Sequence, residues 1–110
     1  MTWVRLCGLE EVPPGEMWSF VLEGVELVLV RGEDAHLVIP PSCPHMQSPL
    51  IEGFFDGETL TCSKHLWQWS VRDGQPLGEA KAPLLQYESR IRDGAIWVNL
   101  ENTLSYGHET

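Results

Sequence analysis

Two short stretches of this chain pair a thiol with an imidazole: Cys43-Pro44-His45 and Cys62-Ser63-Lys64-His65, with sixteen residues between them. One chemistry uses all four at once. In a [2Fe–2S] cluster of mixed ligation, two thiolates hold one iron and two imidazoles the other, so each stretch supplies one ligand to each metal. Such a cluster accepts and releases a single electron. With neutral imidazoles, two ferric irons, two sulfides and two thiolates sum to zero charge, whereas four thiolates would leave two negative charges. The mixed set is therefore easier to reduce, at about -150 to +300 mV against about -400 mV for plant-type all-cysteine clusters.

Three other readings use the same residues. A mononuclear zinc site has suitable ligand types, but structural zinc motifs group cysteine with cysteine and histidine with histidine, and here the order alternates. A cysteine nucleophile with a histidine base would make two equivalent pairs redundant, and no oxyanion-hole or substrate motif accompanies either. Chance proximity is weakened because all four residues fall beside expected loops at corresponding ends of hairpins, where binding sites are found. His36 and His108 lack such company and are expected to be ordinary core or surface histidines.

The elements that must hold these loops are strands. Glycine follows an acidic or basic residue at Glu23-Gly24, Arg31-Gly32, Asp56-Gly57, Asp73-Gly74 and Asp93-Gly94, and the pieces between are short and rich in β-branched or aromatic residues, as in hairpins. Trp18, Phe20 and Leu22 alternate with Met17, Ser19 and Val21; Val25 to Val30 is nearly continuous in Val and Leu, the pattern of a strand buried on both faces. A third run, Ala35 to Ile39, must stop at Pro40-Pro41, because proline cannot donate to a ladder. The first cluster-binding loop, about 40–54, follows with four prolines, and Pro44 stiffens the backbone between two ligands.

Glu58 to Thr61 is expected to deliver Cys62, and Leu66 to Val71 to leave His65 with Trp67, Trp69 and Val71 on one face. The second loop thus spans 62–69. A last hairpin pairs Leu84 to Arg92 with Ala95 to Leu100, its inner face being Leu85, Tyr87, Ile91, Ile96, Val98 and Leu100. No stretch sustains a 3.6-residue period, so the expected fold is all-β, small and antiparallel, with one domain over 1–100 and a polar tail over 101–110.

Acidic residues outnumber basic ones by 16 to 7, giving a net charge of -9, and no basic cluster exists to neutralise phosphates, which argues against nucleic-acid binding. No apolar run reaches the roughly 20 residues of a membrane span, nor does the opening Met1-Thr2-Trp3-Val4-Arg5 contain the apolar core of a signal peptide. A cytoplasmic monomer is the expectation. Three cysteines, two of them candidate ligands, leave only Cys7, expected as a small buried hydrophobe.

The C-x-H and C-x-x-H pair, about sixteen residues apart, resembles the Rieske ferredoxin family. The opening Leu9 to Glu16 and the closing segment from Pro83-Leu84 through Tyr87 to Asp93-Gly94-Ala95-Ile96-Trp97-Val98 are similar to its flanking pattern. The resemblance implies a Rieske-type iron–sulfur fold and one [2Fe–2S] cluster held by Cys43, His45, Cys62 and His65. The high-potential branch carries an extra cysteine in each loop; Ser48 and Lys64 stand at those positions here, which points to the lower end of the potential range. His65-Leu66-Trp67-Gln68-Trp69 resembles the ferredoxins of multicomponent toluene and related aromatic or alkene monooxygenases.

By that resemblance the chain is no enzyme. It is an electron-transfer component taking electrons from an NADH-dependent flavin/iron–sulfur reductase and passing them to a di-iron hydroxylase. Trp67 is then either a docking residue or core, and Met46, Gln47, Pro49 and Leu66 would complete an uncharged docking rim. The alternatives are the ferredoxin of a ring-hydroxylating dioxygenase, a small Rieske-like subunit of nitrite reductase and, more remotely, a structural zinc module.

Overall fold

A computed structural model of the chain describes residues 3–44, 49–63, 66–78, 80, 82–101 and 104. His45, Met46, Gln47, Ser48, Lys64, His65, His108 and most of the expected tail lie outside the described residues. Among the described residues, ten strands form three antiparallel sheets. The first joins β1 (Trp3–Gly8), β10 (Ala95–Asn99) and β9 (Ser89–Arg92) in that order. The second is β2 (Glu16–Leu22), β3 (Val25–Arg31) and β4 (His36–Ile39). The third is β5 (Phe54–Phe55), β6 (Thr59–Thr61), β7 (Gln68–Ser70) and β8 (Pro76–Leu77). Only two short 3-10 turns, Leu9–Glu11 and Leu50–Glu52, interrupt this pattern among the described residues.

Within the second sheet β3 and β4 form the shared wall of two cores, which is why both are apolar on both faces. Val28, Val30, Leu37 and Ile39 pack toward Leu60, Trp69 and Val71 of the third sheet's region. Their neighbours Leu27, Leu29 and Val38 pack the other way, toward Leu6, Cys7, Ile96 and Val98 of the first sheet. A bulge between Arg5 and Cys7 shifts the β1 register against β10, so that the successive residues Leu6 and Cys7 are both buried. The expected hairpins at Glu23-Gly24 and Asp93-Gly94 take positive φ at both residues, 54° and 78° in one and 53° and 73° in the other, the primed geometry whose twist suits joined strands.

Three local expectations change. The strand after the second loop begins at Gln68 rather than Leu66, because Leu66 has φ 56°, a left-handed conformation that cannot continue a ladder. In the last hairpin Leu84, not Leu85, is buried, and the segment up to Glu88 is outside the ladder. Ile91 is 52% exposed although its cross-strand partner Ile96 is fully buried. β9 is an edge strand, so the core that covers β10 does not extend over it.

Candidate metal centre

Both cysteines of the paired motifs sit on a single core. Cys43 leaves β4 after Pro40-Pro41 and Cys62 directly follows β6; each is fully buried, and both belong to the cluster formed by Leu50, Leu60, Trp69 and Val71. The first loop is pinched at its base: the Leu50 N–H donates to the Pro41 carbonyl at 2.8 Å, and Ser42 and Pro49 form an isolated β-bridge. The buried Leu50 anchors the return side. The second loop is pinched likewise, the Cys62 N–H donating to the Trp67 carbonyl at 2.8 Å, just above the Thr61–Gln68 pair of the β6–β7 ladder. Residues 45–48 and 64–65 are thus bracketed by closed necks, and His45 and His65 fall in those two segments, outside the described residues.

The two loops are also joined backbone to backbone. Gly53, at the end of the Leu50–Glu52 turn, lies so close to the Thr61 carbonyl that a β-carbon there would overlap it. Beneath, the Trp69 indole meets Trp67 edge-on with centroids 6.3 Å apart and donates from Nε1 to the Ala82 carbonyl at 2.8 Å. This buttress links the second loop to the segment that returns toward the first sheet.

The predicted docking residues divide. Leu66 is 64% exposed and Pro49 is exposed, whereas Trp67 is half-buried and packs on the core that holds both thiols, so it serves as core with one part uncovered. Met46 and Gln47 lie outside the described residues. One exposed residue escaped the sequence reading: Phe54, 67% exposed, stands opposite Thr61 in the row Phe54–Thr61–Gln68–Leu77 across the third sheet. Its signal was the Phe54-Phe55 doublet on a strand, which must send one ring inward and one outward.

Cys7 lies in the other core, where burial foremost and then Glu11 push its thiol pKa up, as suits an inert apolar filler. No disulfide joins the cysteines. Among the described residues no three metal-ligating side chains come together, which leaves the two thiols as the described part of the expected set.

The chain matches the family model of the Rieske [2Fe-2S] domain over residues 2–88. It belongs to the Rieske [2Fe–2S] family. Over 110 residues it is 34% identical to the methanesulfonate monooxygenase ferredoxin subunit of Methylosulfonomonas methylovora, covering 99% of this chain and 89% of that one. The ferredoxin component of the alkene monooxygenase system of Xanthobacter autotrophicus is 31% identical over 90% of this chain and 82% of its own length. Among solved structures, the ferredoxin of carbazole 1,9a-dioxygenase from Nocardioides aromaticivorans IC177 superposes with a TM-score of 0.77 at 28% identity, covering 90% of this chain and 98% of that one.

A Rieske domain carries one [2Fe–2S] cluster, and the described half of this site suits it. Two thiols converge on one apolar wall at the mouths of two pinched loops, where low solvent access favours thiolate–iron bonds over hydrolysis. Of the described residues in the two loops, only Glu52 carries charge. The isolated-zinc and nucleophile readings lose their basis with the family assignment. No helix among the described residues is long and apolar enough to cross a membrane.

Proposed function

We propose that this chain is a one-electron carrier of a multicomponent monooxygenase, taking electrons from an NADH-dependent flavin/iron–sulfur reductase and delivering them to a di-iron hydroxylase acting on an aromatic or alkene substrate. Cys43 and Cys62 hold one iron of its cluster and His45 and His65 the other. The reading is carried by the convergence of Cys43 and Cys62 on one core at the base of two pinched loops. It is supported by the two monooxygenase ferredoxins that align along nearly the whole chain. When bound, the cluster stores and releases one electron. The residues around it do the rest: Leu50, Trp67 and Trp69 keep water from the thiols, the two necks close the bases of the loops, and Pro49, Phe54 and Leu66 offer an apolar rim on which a partner can close with little charge to desolvate. A single domain over 1–100, a polar tail over 101–110, a monomeric state and a cytoplasmic setting complete the proposal.

A second reading, the ferredoxin of a ring-hydroxylating dioxygenase, is supported by the superposition on the carbazole system's ferredoxin. Coupling separates the two. Purified protein, an NADH-dependent reductase and either a di-iron hydroxylase or a dioxygenase terminal component are combined, and NADH-driven product formation is measured. Turnover with the di-iron hydroxylase alone is expected; turnover only with the dioxygenase selects the second reading. Dithionite-reduced protein is expected to give the low-average-g EPR signal of histidine-ligated iron, and Cys43→Ala or His45→Ala to abolish it. A colourless protein with one zinc per chain would overturn the carrier assignment.

A further inference from the structure

The outer face of the first sheet concentrates cations in an acidic protein. Three of the seven basic residues, Arg5, Arg90 and Arg92, stand there. Arg5, Trp97 and Arg90 form one cross-strand row, Trp3 lies two residues from Arg5 on the same face, and Arg92 two from Arg90. Trp3, Trp97, Arg90, Arg92 and Asp93 line a cavity of about 330 Å³. The Arg90 guanidinium sits 3.9 Å over the Trp3 ring, which occupies the face of that planar group while its N–H donors point outward in its plane. Trp97 adds a second indole wall, and its Nε1–H is buried with no hydrogen-bond partner among the described residues.

An orphaned buried donor costs about 1–3 kcal/mol, so a ligand that brings an acceptor to it is favoured; Nε1 itself is out of solvent contact, so the acceptor reaches it only when the side chains over it move. The remaining chemistry of the cavity says which. Two guanidiniums select an oxyanion, since they hydrogen-bond carboxylate-type oxygens with charge assistance. Two indoles select a flat apolar body, which stacks at little entropic cost. Asp93 does not cancel this field, as it stands 4.0 Å from Arg92 with both side chains largely exposed. The Arg92 side chain is largely exposed, so it can reorient toward a bound anion.

We propose that this cavity binds a small aromatic oxyanion, a benzoate-type carboxylate or an arenesulfonate, with Arg90 and Arg92 on the anionic group, Trp3 and Trp97 flanking the ring and Trp97 Nε1–H donating to an oxygen. The site is separate from the metal centre: β9 and β10 belong to the sheet beyond the second core, with the β2–β4 wall between them and the thiols. Occupancy there does not depend on the identity of the redox partner.

The test uses the cluster-loaded protein labelled with ¹⁵N, titrated with benzoate, benzenesulfonate, benzyl alcohol and acetate while the Trp97 indole resonance is followed. Benzoate and benzenesulfonate are expected to shift that resonance downfield and to bind at least tenfold tighter than benzyl alcohol, which lacks the charge, or acetate, which lacks the ring. Arg90→Ala and Arg92→Ala are each expected to weaken benzoate at least fivefold, and Trp97→Phe, which keeps a ring but removes the donor, at least threefold, all with an unchanged visible spectrum. Equal binding of benzoate and benzyl alcohol, an unmoved Trp97 indole, or undiminished affinity in Arg92→Ala would overturn the proposal. Arg92 is exposed at an edge strand, so that last variant tests binding without threatening the fold.

Discussion

Gly53 and Thr61 touch backbone to backbone, with no room for a side chain between them, and this contact ties the return of the first loop to the strand that delivers Cys62. Gly53 needs no unusual φ; at -83° any residue could adopt its conformation. The demand for glycine is steric. Gly53→Ala is therefore expected to force the loops apart and cost about 1–3 kcal/mol, the usual range for overpacking. Urea denaturation at equilibrium, together with the half-time of cluster bleaching in air, checks this; a variant as stable and as slow to bleach as the parent would show that the loops can slide.

The rim residues separate docking from packing. Phe54→Ser and Leu66→Gly remove side chains that are two-thirds exposed, so stability is expected to stay within about 0.5 kcal/mol, and Leu66→Gly also relieves the left-handed strain. Both are expected to slow electron delivery to the hydroxylase several-fold in stopped-flow reoxidation. Trp67→Ala differs because its ring packs on the thiol-bearing core: a loss of about 1–2 kcal/mol is expected alongside slower transfer. Full transfer rates in the Phe54 and Leu66 variants would move the docking surface elsewhere.

Arg31 is a strut rather than a surface charge. Its Nη1 donates to the Leu9 and Val12 carbonyls at 2.6 and 2.7 Å, pinning the 3-10 turn against β3. Arg31→Met leaves two part-buried carbonyls without this donor and is expected to cost about 2–3 kcal/mol, with Arg31→Lys recovering part of it, as thermal unfolding would record.

His36 links the second sheet to the first through Nε2 and the Ser89 hydroxyl, 2.9 Å apart. Burial foremost, and then the nearby Arg31 charge, hold its pKa below the ordinary value of 6.5. A depressed pKa means the unfolded chain binds the proton more readily. The stability His36 permits is thus complete above pH 6.5 and falls as the pH drops below that value toward the folded-state pKa. His36→Asn is expected to flatten this part of the stability-against-pH curve. Parallel curves for the two proteins would remove His36 as its cause.

Much of the site was legible before any folding was considered, and for a physical reason. Ligand type is a property of single residues, and the spacing of Cys43-Pro44-His45 from Cys62 to His65 is local. Strand alternation and the Glu23-Gly24 and Asp93-Gly94 turns likewise depend on neighbours along the chain, and the double-sided apolarity of Val25 to Val30 already announced a strand covered on both faces. What covered those faces was a matter of packing. Only the stacking of three sheets decided that Leu27 and Val28 serve different cores, and that Cys7 lies in one while Cys43 and Cys62 share the other. The same stacking exposed Ile91, on an edge strand beyond the core, and Phe54 beside the second loop, and it left Trp67 half core and half surface. Which side of a strand is buried depends on what packs across it, and those partners are distant in sequence.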